Sequence, residues 1–394
     1  MLSGFAQPVT LRELAGDGRI STDIRAVGAG ASLRDLLAAP RAVYADDPHW
    51  VEPLYWERHS AFSEKHPLFE HLQWQAWVAF EGNRPIARIS AQIDALHEDR
   101  HGDRAGYFGL FDAPDDPVLA SALFATAEDW LRSRGATRAV GPFNLNINQE
   151  LGLLVEGFET PPYFLMPHGR PWFEGLALGA GYRCAQEMLA YTIDPDFDAP
   201  AVMRRLIDRQ GERLQVAPLD RSQLDAQISV MREIFNDAWQ DNWGFVPFTA
   251  AEFRALGREL AMLLTDDAVQ IASYRGEPAA FIVMLPNINE AIADLKGRLL
   301  PLGWLKLLWR LKVRHPSTSR VPLMGVRREF QNRPIGSALA MAVMDAARQG
   351  AIVRGVREVE MSWILADNQG MRKICETIGG RVSKRYRMYE KALG

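Results

Sequence analysis

Cysteine is almost missing from this chain: 394 residues contain two, Cys184 and Cys375. Two thiols so far apart in sequence cannot build a cysteine-only metal site. Their scarcity fits a reducing compartment, so the expected location is the cytoplasm. Long hydrophobic runs are missing too. None reaches the ~20 apolar residues of a spanning helix. The opening MLSGFAQPVTLRELAGDGRI has no charged segment leading into an apolar core, so no secretory signal is expected. Nor is there an excess of one charge. Lys and Arg number 45 against 49 Asp and Glu, a net charge of −4, which gives no reason to expect a nucleic-acid partner. His66, His71, His97 and His101 show no metal-ligand spacing supported by a carboxylate, so no metal is expected.

What is present is the composition of a soluble globular chain, 47% hydrophobic and 24% charged, with eleven Trp and 18 Phe. At ~100–200 residues per domain the length implies two domains, at most three. Residues 74–79 (WQAWVA) and 85–93 (PIARISAQI), separated by EGNR, predict a hairpin. A strand at 107–111, a helix at 118–134, a strand at 137–143, a helix at 171–181 and a strand at 187–193 follow. The second half repeats this order. Helices at 203–214 and 224–239 precede a hairpin of 269–274 and 279–285 around RGEP. Strand 320–326, helix 335–350, strand 357–364, helix 369–378 and strand 386–391 complete it. A repeat of this length means two copies of one domain. The expected division is a leader at 1–25, a first domain at 26–197 and a second at 198–394, joined at the polar, proline-bearing stretch DPDFDAP (194–200).

One segment, 286–319, interrupts the second copy. It contains GRLLPLGWLKLLWRLKVRHP. On a helix, Lys306, Arg310 and Arg314 share one narrow face, and Leu302, Trp304, Leu305, Leu308, Trp309 and Leu311 cover most of the rest. Such a cationic, Trp-bearing helix over 299–314 either lies in a membrane interface or packs on the domain beneath solvated basic residues.

The stretch REFQNRPIGSAL (328–339) follows an apolar strand and opens an Ala-rich helix. A helix N-terminus offers unpaired N–H groups and the positive end of a dipole, which suits a pyrophosphate. Gly336 allows close backbone approach. This half resembles the GNAT superfamily of acyl-CoA-dependent N-acyltransferases. The family's acyl-CoA loop, Arg/Gln-x-x-Gly-x-Gly/Ala, matches Gln331-Asn332-Arg333-Pro334-Ile335-Gly336. Its next helix matches at Asn368-Gln369-Gly370-Met371. The first half matches by element order only, because FDAPDDPV (111–118) has no glycine loop.

The resemblance implies an α/β (α+β) fold of two tandem GNAT-like domains, each a mixed, mostly antiparallel sheet flanked by helices. It also implies that only the second copy binds acyl-CoA, as co-substrate and with no permanently bound cofactor. The implied binding groups are Met324, Val326, Gln331, Asn332, Arg333, Ile335, Gly336, Ser337 and Asn368. Two departures stand out. Pro334 replaces a glycine and removes one N–H donor, although proline suits the first turn of a helix. Cys375 stands where many relatives place a tyrosine that protonates the departing thiolate, but it reads first as a buried core cysteine.

Asp241, beside Trp239 and Trp243, and Glu360, which alternates with Glu358 and Ser362 on one strand face, are the candidate general bases. Cys375 and Tyr386 are the candidate acids. A backbone N–H near Met324–Val326 is the expected oxyanion donor. Asn144, Asn146, Asn148 and Glu150 would share one face of an extended strand. With Asn242 and Trp243 they are the candidate acceptor-binding groups; alternatively, the asparagine ladder satisfies buried backbone at the interface between the two copies. The features GPFNLNINQELGLLVEGF, DNWGFVPF and the loop are similar to the large tandem GNAT proteins of Gram-negative bacteria, a group that includes bacterial ceramide synthases. That resemblance implies a long-chain acyl-CoA and a sphingoid-type lipid amine as substrates. The expected location is cytoplasmic, with peripheral contact on the cytoplasmic face of the inner membrane if 299–314 lies in an interface. Short-chain transfer to a soluble amine or peptide, and a non-catalytic lipid- or partner-binding pair, remain open.

Overall fold

The computed structural model describes the backbone of Val9–Thr10 and residues 22–394 apart from Ala29 and Ala31. Most of the expected leader therefore lies outside the described residues. The chain divides into two compact units. The first holds residues up to Pro162, Met166–Glu187 and Arg385–Gly394; the second holds Tyr163–Leu165 and Met188–Lys384. The units differ from the expected 26–197 and 198–394. The polar stretch 194–200 lies inside the second unit, because the strand before it pairs there, and the end of the chain belongs to the first.

In chain order the elements are β1 (Val9–Thr10), β2 (Thr22–Ala26), α1 (Leu33–Ala38), α2 (Pro40–Val43), α3 (Tyr55–Ala61), β3 (Leu72–Glu81), β4 (Arg84–Asp94), α4 (Ala95–His101), β5 (Ala105–Asp112), α5 (Pro117–Arg132), β6 (Arg138–Gly141), β7 (Phe143–Asn144), β8 (Glu150–Leu151), β9 (Leu153–Glu156), α6 (Phe173–Gly179) and β10 (Arg183–Ile193). Then come α7 (Ala201–Asp208), β11 (Leu214–Pro218), α8 (Leu224–Trp239), α9 (Ala250–Leu263), β12 (Val269–Tyr274), β13 (Glu277–Pro286), α10 (Ile288–Ile292), α11 (Gly303–Trp309), β14 (Thr318–Val326), α12 (Pro334–Val353), β15 (Glu358–Leu365), α13 (Gln369–Thr377) and β16 (Arg381–Ala392).

The sheet of the first unit runs β1-β2-β3-β4-β5-β6 and is completed by the end of β16, where Tyr389 faces Gly141. Only β5 and β6 are parallel. The expected hairpin is β3–β4, and Gly82, at φ 62°, supplies the left-handed turn residue between the strands. Ala87, Ile89 and Ala91 of β4 pack with Leu119, Leu123 and Ala127, which sit at i, i+4 and i+8 on one face of α5, the helix expected at 118–134.

In the second unit, Met188–Ile193 of β10 pair with β15, and the order continues β14-β13-β12-β11. Again one pair is parallel, β14 with β15. The run AAFIVML in β13 is apolar at every position because both faces are covered. Ala280, Ile282 and Met284 pack with Leu339, Val343 and Ala347 of α12. Phe281, Val283 and Leu285 pack with Ile234 and Phe235 of α8 and Phe253 of α9. The fold class is thus the expected one.

Some elements differ from expectation. The helix expected over 203–214 stops at Asp208, and Leu214 already begins β11. Helix α9 was not expected, although Thr249 and Glu252 form a reciprocal capping box at its start. In the 286–319 segment, the long helix expected over 299–314 is shorter. It is α11 followed by a π-helical turn, Arg310–Arg314. No helix among the described residues is long and apolar enough to cross a membrane.

Candidate active site

The parallel strands β14 and β15 pair from Thr318↔Glu358 to Val321↔Met361 and then part. The gap is a cleft of about 530 Å³, lined by Pro322, Met324 and Val326 on one side and residues 362–365 on the other. That volume falls within the ~300–1,000 Å³ usual for small-molecule sites.

The open edge of β14 has an unusual character. The amide of Arg327 donates to the Ala279 carbonyl of β13 at 2.8 Å. Antiparallel alternation then puts the backbone groups of Gly325 on that same edge, and those of Met324 and Val326 on the opposite one, toward the cleft. The carbonyls there are already used. Trp239 Nε1 donates to Met324 O at 2.9 Å, and Gln331 Nε2 donates to Val326 O at 2.9 Å. What β14 offers the cleft is therefore a pair of N–H donors without competing acceptors.

The loop after β14 delivers the chain to α12. Asn332 takes a left-handed φ of 59°, and Pro334 occupies the first helical turn. Arg333, the N-cap, makes no side-chain cap. Its carbonyl accepts from the amides of Gly336 (2.9 Å) and Ser337 (3.4 Å), and its own amide donates to Phe330 O at 3.3 Å. These three amides were expected among the phosphate donors and are already engaged. The amides of Asn332 and Ile335 make no hydrogen bond among the described residues. Gly336 is needed by the loop itself: a Cβ there would lie 2.2 Å from Phe330 O.

Of the nine residues expected to hold acyl-CoA, Met324, Val326, Gln331, Asn332, Gly336, Ser337 and Asn368 line the cleft. Arg333 and Ile335 do not; Arg333 is exposed, and Ile335 packs against the core. Gln331 also braces the loop, because its Nε2 reaches Ala238 O at 3.0 Å as well as Val326 O. The first turn of α13 joins the same wall through Gly370 and Met371, and Asn368 caps it, accepting from Met371 N at 3.0 Å. Lys373 and Trp239 also line the cleft. Neither was singled out from sequence, because a lysine on a helix and a Trp at a helix end carry no signal of their own.

The proton-transfer candidates separate clearly. Asp241 is exposed, ion-paired with Arg328 at 2.8 Å, and does not line the cleft. Asn242 lines the cleft, whereas Trp243 does not. Cys375 is fully buried, with its Sγ 4.0 Å from Met361 Sδ, and burial pushes its thiol up to about 12. Its neighbours Ile374 and Thr377 line the cleft instead. Tyr386 is fully buried in the first unit, opposite Leu154 of β9.

Glu360 is fully buried on β15 and accepts from Ser362 Oγ at 2.7 Å, and Ser362 lines the cleft. Burial raises the Glu360 carboxyl, against the lowering effect of Arg320 and the Ser362 hydrogen bond. Arg320, also buried, donates to Ser362 Oγ at 2.8 Å and to the carbonyls of Phe164 and Leu165. Glu358 takes a separate partner, the Tyr163 hydroxyl at 2.5 Å.

Comparison with known proteins fits this geometry. The chain is 47% identical to Protein YghO of Escherichia coli over 92% of its length and 93% of that protein. It is 45% identical to the bacterial ceramide synthase of Caulobacter vibrioides over 92% of its length and 95% of that protein. The chain belongs to this family of tandem GNAT acyltransferases. A tandem GNAT protein of the clavulanic acid biosynthesis pathway has the same fold. Its TM-score is 0.52 at 14% identity, over 91% of this chain and 93% of that one. No protein-family model matches. Membership makes the chain an acyl-CoA-dependent N-acyltransferase.

The first unit of this tandem GNAT has no matching slot. Strands β5 and β6 pair in parallel from Ala105↔Arg138 to Tyr107↔Val140, but the chain beyond stays close. A Cβ on Gly109 would lie 1.8 Å from Phe143 O. Gln92 Nε2 donates to that same carbonyl at 2.6 Å, and Asn144 Oδ1 accepts from Leu110 N at 2.9 Å. The expected extended ladder over 144–150 is a hairpin turn, because only Asn144 and Glu150 lie on strands, β7 and β8, and they face each other. The ladder's polar groups are spent inside the unit. Asn144 donates to Glu150 at 3.2 Å, and Glu150 is ion-paired with Arg58. Burial opposes the Glu150 charge, but Arg58 and Asn144 hold its carboxyl below the ordinary range. Asn146 is buried, donates to Asp94 at 3.5 Å and accepts from Asn148 N at 3.0 Å. These side chains thus bond backbone and charged groups within the first unit itself.

Proposed function

We propose that this N-acyltransferase moves a long-chain acyl group from acyl-CoA to the primary amine of a sphingoid-type lipid, giving a ceramide-like amide. The observation that carries the chemistry is the donor-only edge of β14 beside the N-terminus of α12. In this reading the pantetheine arm lies in the cleft between β14 and β15. The pyrophosphate meets the amide of Asn332 and the positive end of the α12 dipole. The N–H of Met324 or Val326 points at the thioester carbonyl and stabilises the oxyanion that develops there.

The amine nitrogen attacks the thioester carbon, the C–S bond breaks, and CoA leaves as thiolate. The amine proton passes through Ser362 Oγ to Glu360, whose carboxyl burial raises above the ordinary range. The substrate class is supported by the 45% identity to a protein named a bacterial ceramide synthase over nearly the whole of both chains. Both substrates are then lipids. Release of free CoA, followed with CoA esters of increasing chain length and a sphingoid amine, tests the reading. Turnover that rises from acetyl to long-chain esters supports it. Preference for acetyl-CoA moves the chain to short-chain transfer.

A further inference from the structure

Leu300, Leu302, Trp304, Leu308, Trp309 and Val313 are each between 44% and 80% exposed. Leu305 belongs to the same cluster, and the other exposed large hydrophobic side chains among the described residues are scattered along the chain. An apolar patch this dense is rarely left facing water. The segment is anchored from beneath rather than loose. Leu311 is buried, and Arg310 donates to Ala291 O at 2.7 Å and is ion-paired with Asp294. Its remaining cations face solvent. Residues 294–314 carry six basic side chains against one acidic, in a chain whose net charge is −4. Lys296, Arg298, Lys306, Lys312 and Arg314 are all exposed beside the apolar residues.

We propose that this face, α11 with the Leu300–Leu302 stretch before it and the π-helical turn after it, docks on the surface of an anionic lipid bilayer. The leucines and tryptophans enter the interface, where an indole suits the boundary between headgroup and acyl chain. The lysines and arginines extend their aliphatic stems along the apolar surface and set their charges against lipid phosphates. The charge selects a bilayer over a second copy of the chain, because two such cationic faces repel each other. This goes beyond the acyl-transfer reading, since it holds whatever amine is acylated.

Flotation with vesicles tests it, using the full chain. The protein is expected to float with phosphatidylcholine vesicles containing phosphatidylglycerol, and much less with phosphatidylcholine alone, the difference shrinking as salt rises. A Leu302→Ser/Trp304→Ser/Trp309→Ser variant and a Lys306→Glu/Lys312→Glu/Arg314→Glu variant should each lose at least about tenfold in bound fraction, while CoA affinity by calorimetry stays unchanged and shows that the fold survives. Wild-type protein left at the bottom of the gradient overturns the proposal. So does a variant that floats as well as wild type, or a dimer in sedimentation that the serine variant abolishes.

Discussion

The side-chain oxygen of Asn144 accepts a hydrogen bond from the backbone amide of Leu110 at 2.9 Å. That contact fills, inside the first unit, the kind of strand-edge donor that Met324 and Val326 present to an open cleft in the second. With Phe143 O pressed against Gly109, the first unit has no space for a ligand between β5 and β6. Calorimetric titration should therefore find one CoA per chain. Asn144→Ala should leave that number unchanged, because the Phe143 backbone still closes the gap. Two equivalents bound to wild type would contradict the closed slot.

Gly336 is predicted to tolerate no side chain. A Cβ 2.2 Å from Phe330 O must displace the loop, at an overpacking cost of ~1–3 kcal/mol, or about 5- to 150-fold in affinity. Gly336→Ala should raise KM for acyl-CoA by that factor. Pro334→Gly, at a position where the missing N–H costs little, should change it by less than about threefold. Equal KM values for Gly336→Ala and wild type would remove the loop from the binding site.

As the proposed base, Glu360 works only when ionised, so activity should fall as pH drops through its pKa. Burial raises that pKa, which puts the acid limb of kcat/KM above the ~4.3 of an ordinary glutamate. Glu360→Gln should lower kcat by about 10²–10⁴-fold and remove the limb. Ser362→Ala should also lower kcat, since it cuts the path from the cleft. A limb that survives Glu360→Gln assigns it to another group.

The two thiols should react very differently. Cys184 is exposed, whereas Cys375 is buried and its thiol is pushed up to about 12. A thiol reagent near neutral pH should titrate one cysteine in the native protein and two in denaturant. Cys375→Ala should keep most activity while lowering stability, by about 1 kcal/mol or more for the lost packing. Loss of kcat at unchanged stability would restore Cys375 as the acid.

Much of this was readable from sequence because it is written in local patterns. The alternation of β3 and β4, the two-sided run in β13 and the strand–loop–helix at 320–339 each specify their own element. Long-range facts were not readable in that way. Asn144 to Asn148 look like an alternating strand, yet the pairing of β7 with β8 turns them into a hairpin. Asp241 and Cys375 have the chemistry of a base and an acid, but one faces solvent with Arg328 and the other faces Met361. What favours Glu360 in the proposed reaction is its neighbour Ser362 reaching the cleft, which depends on where β14 and β15 part.

The most direct test is mass spectrometry of the product formed by purified protein, a long-chain acyl-CoA and a sphingoid amine. The account predicts an amide-linked lipid, formed in equal amount with free CoA and absent with Glu360→Gln. Release of CoA without any amide, or amide formation only from acetyl-CoA and a water-soluble amine, would contradict it.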